Sequence, residues 1–235
     1  MLKGEGLWFR YSAKLPWVVR DQSLAITPGE VVGLIAPSGY GKTTLGKLLA
    51  GYLMPSHGRI TLDEQPLPGR GYCPVQLVFQ NPELSVNPRW RIDRILREKY
   101  PPQQYILDAL GIHPGWMTRY PHELSGGELQ RVAISRVLNR NTRYLIADEM
   151  TAMLDANTQA LIWQVVLEFA RQYDVGIIAI SHNQPLLQRI CQRDCLVAEQ
   201  SIVNLVSERQ PSHRRVFNMP INASSKGILR QSQRL

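Results

Sequence analysis

The sequence predicts an α/β fold built around a parallel β-sheet, and three observations predict it. Short, nearly continuous apolar runs recur at 31–36, 143–147 and 175–180, the pattern of strands covered on both faces. Helical periodicity separates them, with Leu45, Leu48 and Leu49 after the first run and residues 158–173 between the other two. Glycines or polar residues follow each run, where an open parallel sheet gathers its ligands.

Taken in order, residues 2–35 alternate β-like runs with turn signals such as Pro28-Gly29-Glu30. A Gly-rich turn follows, then a helix over 43–53, then a strand and turn over 58–67 and a short apolar run at 77–80. Between 81 and 140 the texture changes to Pro-punctuated helices with few β-branched runs, which predicts a helical subdomain. Strand, helix and strand then close the chain, an alternation that argues for a parallel sheet.

Composition sets the outer limits. With 235 residues, 44% of them hydrophobic, the chain can bury one substantial core without metals or disulfides. Cys73, Cys191 and Cys195 form no CxxC pair; the 191–195 stretch reads as helical, and its cysteines read as reduced thiols in a cytosolic setting. No apolar run approaches the roughly 18–20 residues that cross a bilayer, and residues 1–14 lack a signal-peptide layout, so a membrane role is expected to run through a partner. The formal net charge of +8 owes much to Arg209, Arg214, Arg215, Lys226, Arg230 and Arg234 in the tail. Without a nucleic-acid motif beside it, that charge reads as a solvated end near anionic lipid. Trp8, Trp17, Trp90, Trp116 and Trp163 are scattered and read as packing; His113, His122 and His213 have no metal-like spacing.

Residues 36–43 read Ala-Pro-Ser-Gly-Tyr-Gly-Lys-Thr, close to the phosphate-loop pattern. Gly39 and Gly41 let backbone N–H groups turn towards phosphates, and the following helix adds its N-terminal dipole. Lys42 would neutralise phosphate charge and Thr43 would hold Mg²⁺. Ala36 replaces the first glycine: at positive φ it would cost about 1–2 kcal/mol, whereas as the end of a strand it is harmless, and the intact Gly39 and Gly41 favour the strand end. The run 144–147 delivers Asp148 and Glu149 at a strand end, the first suited to organising Mg²⁺ with Thr43, the second to orienting or deprotonating water. His182 and Gln80 close two further apolar runs, so four polar groups at strand ends define one site.

Residues 124–131, Leu-Ser-Gly-Gly-Glu-Leu-Gln-Arg, resemble the signature motif of ABC-type ATPases. The resemblance spans residues 2 to about 206 and implies a RecA-like nucleotide-binding core with an antiparallel N-terminal β-subdomain and an inserted helical subdomain. It divides the chain into an ATPase domain at 1–207, with its core at about 1–80 and 141–207 and its helical part at about 81–140, and a basic tail at 208–235. It implies that Tyr11 (Phe9 being the lesser candidate) stacks on adenine, and that Pro37, Ser38, Gly39, Tyr40, Gly41, Lys42, Thr43 and Thr44 contact the nucleotide. Ser125, Gly126, Gly127, Glu128 and Asp155 would contact nucleotide across a head-to-tail dimer. Glu149, His182, Lys42 and Gln80 are the implied catalytic group; Thr43, Gln80 and Asp148 the Mg²⁺ group. Met150 and Met153 stand where the family usually has Pro and Ala, which bears on the dimer contact rather than on the chemistry.

The run 79–89, Phe-Gln-Asn-Pro-Glu-Leu-Ser-Val-Asn-Pro-Arg, is similar to that of the peptide/nickel importer subfamily. It implies permease partners, a second ATPase subunit, a substrate-binding protein and a place at the cytoplasmic face of the inner membrane. The short end after Val206 looks more like the second ATPase of a nickel or metal-chelate importer. Arg89 and Arg91 could meet a permease or simply face solvent. Two other classes fit less well. An ABC-type ATPase of nucleic acid or translation is disfavoured because no heptad run separates Gln80 from Ser125, so no nucleic-acid partner is expected. A non-hydrolysing partner is disfavoured by intact Lys42, Asp148, Glu149 and His182.

Overall fold

A computed structural model describes residues 1–37, 39–197 and 202–205; Ser38 and the basic tail lie outside the described residues. Two sheets face each other across one helix. The antiparallel sheet runs in the order β2 (Val19–Ile26), β1 (Leu2–Phe9), β4 (His57–Leu62), β5 (Gln65–Pro66). The β4–β5 turn uses Asp63 and Glu64, both at positive φ, as the right-handed twist of a tight hairpin demands. The second sheet runs β10 (Ile202–Leu205), β9 (Arg193–Val197), β3 (Val31–Ile35), β8 (Gly176–Ile180), β7 (Tyr144–Asp148), β6 (Val75–Val78). All its pairs are parallel except β10 with β9.

Every residue of β7 and β8 is buried, because both faces of the sheet are covered. Ile146, Ile178 and Ile180 point with Leu45, Leu48 and Leu49 of α1 (Lys42–Leu49) towards the antiparallel sheet's Leu2, Leu7 and Ile26. The alternate residues Leu145, Ala147, Ile177 and Ala179 belong to the opposite core. That core includes Ile162, Trp163 and Val166 of α5 (Ala156–Tyr173) and residues of α2 (Ile92–Leu96), α3 (Gln104–Ala109) and α4 (Gly126–Val137). Period-two alternation thus divides one apolar run between two cores. Three short 3₁₀ turns, Pro82–Ser85, Pro114–Trp116 and Pro121–Glu123, punctuate the helical region. Each begins on proline, which is pre-set for a helical start.

Two expectations need correction. The first helix stops at Leu49 rather than 53, because Gly51 takes φ +76° just past its end. The 191–195 stretch is not helical: α6 (Gln184–Ile190) ends before extended Cys191, and Cys195 lies within β9, paired with Leu34. Parallel pairing to β3 outweighs local helical preference there, and both thiols are buried. Among the described residues no group of three or more His, Cys, Asp or Glu could hold a metal ion, and no helix is long and apolar enough to cross a membrane.

The helix that follows the Gly-rich loop lies hard against the sheet at Gly46, where an added Cβ would sit 3.2 Å from Ile146 Cγ2 and 3.4 Å from Ile180 Cδ1. Gly46→Val should therefore overpack this contact and lower stability by about 1–3 kcal/mol. Urea unfolding checks this; an unshifted midpoint would mean that α1 has room to spare.

Candidate functional site

The pairing register brings the strand ends level. Gly33, Ala179, Ala147 and Val78 form one row across β3, β8, β7 and β6, and Leu34, Ile180 and Asp148 form the next. The chain leaving each strand therefore emerges at one edge: the Gly-rich loop after β3, His182 after β8, Glu149 after β7 and Gln80 after β6.

On the loop, Gly39 and Gly41 take φ +86° and +78°, a region glycine enters without strain. Gly41 has a further constraint, since a Cβ there would lie 2.6 Å from the Val18 carbonyl oxygen. Ala36 is buried and is not among the left-handed residues, so it ends its strand at no conformational cost, as read from the sequence. Pro37 and Tyr40 are exposed on the loop. Buried Lys42 opens α1, and its ammonium donates to the carbonyls of Ala36 (2.7 Å) and Pro37 (3.0 Å). Burial pushes its pKa below the usual lysine value, while the charges of Glu149 and Asp148 pull it back up.

Burial likewise pushes the Asp148 carboxyl above the usual carboxylate range; a hydrogen bond from Thr43 acts the other way, and the neighbouring Glu149 charge adds to the rise. Buried Thr44, the next residue, has its hydroxyl 3.2 Å from that of Tyr11. Tyr11 is 56% exposed as a residue, whereas Phe9 is buried, its ring edge to face with that of Tyr11 at 5.0 Å. That contrast favours Tyr11 over Phe9 as a ring open to a ligand.

Glu149 connects the remaining strand ends. Its Oε1 lies 2.9 Å from His182 Nε2, and its Oε2 accepts from Gln80 Nε2 at 3.3 Å. Its backbone is left-handed, φ +48°, and its N–H donates to the Ile180 carbonyl at 2.9 Å. Such a conformation costs a non-glycine residue about 1–2 kcal/mol and here turns the carboxylate from the strand direction towards His182 and Gln80. Met150 immediately after it is buried in the core and pins the turn. Met153, by contrast, is 78% exposed.

A second group gathers at the start of α4. Ser125 caps this helix, its hydroxyl accepting from the Glu128 N–H while the Glu128 carboxylate accepts from the Ser125 N–H at 2.7 Å. That backbone bond is the main influence holding Glu128 below its ordinary pKa. Ser125, Gly127, Glu128, Met153, Leu154 and Asp155 line a cleft of about 260 Å³, with Gly126 at the exposed start of the helix. Asp155 itself caps α5, accepting from the N–H groups of Asn157 and Thr158 and from the Thr158 hydroxyl. Its carboxylate is thus committed to its own chain, a task the sequence did not assign it. Lys42, Thr43, Gln80, Asp148, Glu149 and His182 belong to the strand-end group and do not line this cleft.

One connection between the groups carries no sequence motif. Buried Gln130 of α4 donates to the Phe79 carbonyl at 3.3 Å, tying the helix that starts at Ser125 to the residue before Gln80. No motif announces a contact between residues 51 positions apart; only the burial of a polar residue on an otherwise apolar helix face signals it.

Comparisons with known proteins bear on the family and the fold. The family described as ABC transporter matches residues 19–152. The chain is similar to a nickel import ATP-binding protein of Rhodospirillum rubrum, 33% identical over 207 residues, covering 79% of this chain and 74% of that one. It is also similar to an oligopeptide transport ATP-binding protein of Bacillus subtilis, 31% identical over 227 residues, covering 88% and 68%. A solved dimeric structure of a bacterial ABC transporter cassette superposes with a TM-score of 0.74 at 21% identity, covering 89% of this chain and all of that one. That likeness speaks for the fold.

Ser125→Ala removes one half of the α4 capping box and should cost about 1 kcal/mol of stability. Urea unfolding, together with faster amide exchange in the first turn of α4, would register it; unchanged exchange would show that the cap is redundant.

Proposed function

Because this chain belongs to the ABC transporter family, as an ATP-binding and ATP-hydrolysing importer subunit of the peptide and nickel group, we propose that its strand-end residues are the hydrolytic site and its α4 cleft the half-site offered to a partner subunit. The observation that carries this reading is the meeting of Glu149 with both His182 and Gln80 at the edge where Lys42 and Asp148 also lie.

The proposed roles follow from the chemistry. Amides of the 37–44 loop and the Lys42 ammonium hold the phosphates, helped by the start of α1; Tyr11 stacks on the base. The Thr43 hydroxyl, Asp148 carboxylate and Gln80 amide oxygen form an oxygen donor set that fits a hard divalent cation such as Mg²⁺, which when bound supplies charge neutralisation at the phosphates. Glu149 orients or deprotonates the attacking water, and His182, against its carboxylate, fixes that orientation. Its left-handed backbone is the kind of local strain that persists where a fold over-determines a catalytic geometry.

The helix start at Ser125, Gly126 and Gly127 presents N–H groups suited to an anion, with Glu128 and Asp155 bracing it. Since this cleft and the strand-end group are separate within one chain, a head-to-tail pair, homo- or heterodimeric, would join them. We take 1–207 as the ATPase unit, 81–140 as its helical insert and 208–235 as a tail. The subunit works beside membrane permeases, on their cytoplasmic side, with a binding protein delivering cargo. Nickel, metal chelates and small peptides are the cargo classes that the relatives' names suggest.

Glu149→Gln should keep ATP binding and lower the hydrolysis rate by about 100-fold or more; phosphate release checks this, and equal rates would strip Glu149 of its role. Lys42→Ala should abolish tight ATP binding, with unchanged affinity by calorimetry contradicting the phosphate-loop assignment. Specific activity of the isolated chain should climb with protein concentration, and a flat profile would count against the paired site.

A further inference from the structure

In the β1–β2 connection one cation bridges two parts of the loop. The Arg10 guanidinium sits 4.3 Å from the centroid of the Trp17 ring, and its Nη1 donates to the Ala13 carbonyl at 2.8 Å. Arg10 therefore binds both the far end and the crown of its own loop. Trp17 is steadied in turn by Trp8, edge to face at 5.3 Å, and by His57 at 5.9 Å. The Val18 N–H donates to the Phe9 carbonyl at 2.9 Å and closes the loop's base. Trp8 and Trp17, which looked scattered along the chain, are thus partners on one surface.

Tyr11 stands within this loop, directly after Arg10. The loop meets the phosphate-binding segment at two points: the Val18 carbonyl packs on Gly41, and the Tyr11 hydroxyl reaches Thr44. Tyr11 nevertheless remains exposed. A surface loop without internal anchors would let that ring sample many orientations, and affinity falls in proportion to the fraction in the competent one. Beside the Val18–Phe9 and Tyr11–Thr44 contacts, the Arg10–Trp17 pair is the side-chain contact that spans the loop from one end to the other.

We propose that Arg10 and Trp17 are positioning residues for the nucleotide base: their contact fixes the loop that presents Tyr11, and so sets base affinity without touching the phosphates. This rests on the reading of Tyr11 as the base-stacking ring and adds the residues that hold it.

The test uses the full chain and two ligands, Mg-ATP and magnesium tripolyphosphate, measured by calorimetry. Arg10→Met and Trp17→Leu should each weaken ATP binding about five-fold, the scale of one cation–π contact, and leave tripolyphosphate affinity unchanged. Arg10→Lys, which keeps a cation over the ring, should restore most of the ATP affinity. The double variant should be no weaker than either single one, because the two residues act through one contact. Unaltered ATP affinity in both single variants would overturn the proposal, as would an equal loss for both ligands or additive losses in the double variant. Tyr11→Ala and Lys42→Ala separate the levels. If Tyr11→Ala leaves ATP affinity intact, the reading of Tyr11 fails and the proposal falls with it; if Lys42→Ala does so, the phosphate-loop reading fails. If both lose affinity while Arg10→Met does not, the positioning role alone is lost.

Discussion

The parallel pairing of β3, β8, β7 and β6 is the constraint on which the site depends. Because the register aligns Gly33, Ala179, Ala147 and Val78, residues far apart in sequence emerge at the same height. A slip of one position in any pair would move every side chain of that strand to the other face. The two cores oppose this: Ile146 belongs to one and Ala147 to the other, and a slip that put Ala147 where Ile146 sits would leave a cavity. Hydrophobic packing thus fixes the register, and the register fixes the chemistry.

The balance of charge at that edge follows from the same burial. Lys42 and Asp148 are both withdrawn from water, and each shifts towards its neutral form. Their mutual proximity, with Glu149 alongside, partly offsets the cost for the lysine. Buried charges are tolerable when they are paired or ligated. Lys47 as well as Lys42 acts on Asp148, so the two carboxylates face two lysine charges.

Much of this was legible in the sequence because it depends on order along the chain. Apolar runs ended by Gln80, Asp148 and His182 needed no long-range information to be seen, and the glycines of the phosphate loop declare their geometry locally. Other features depend on neighbours brought from elsewhere. The left-handed turn at Glu149 is sustained by the Ile180 carbonyl and by the burial of Met150, neither of which a motif encodes. Cys195 joins a strand only because β3 offers it an edge. Asp155 was assigned to a nucleotide by resemblance; its local bonds to Asn157 and Thr158 give it work within its own helix. Trp8, Trp17 and Arg10 were separate residues until the hairpin folded.

The bond from Gln130 to the Phe79 carbonyl carries a consequence for how the two halves of the molecule communicate. Its acceptor is main chain, so the side chain at position 79 can vary without erasing the link, whereas the donor is one specific amide. A rotation of α4 would tug on the backbone just ahead of Gln80 and tilt the residue that touches Glu149. This particular link, one of at least two from α4 to the 79–85 segment, is therefore sensitive to substitution at Gln130 and not at Phe79.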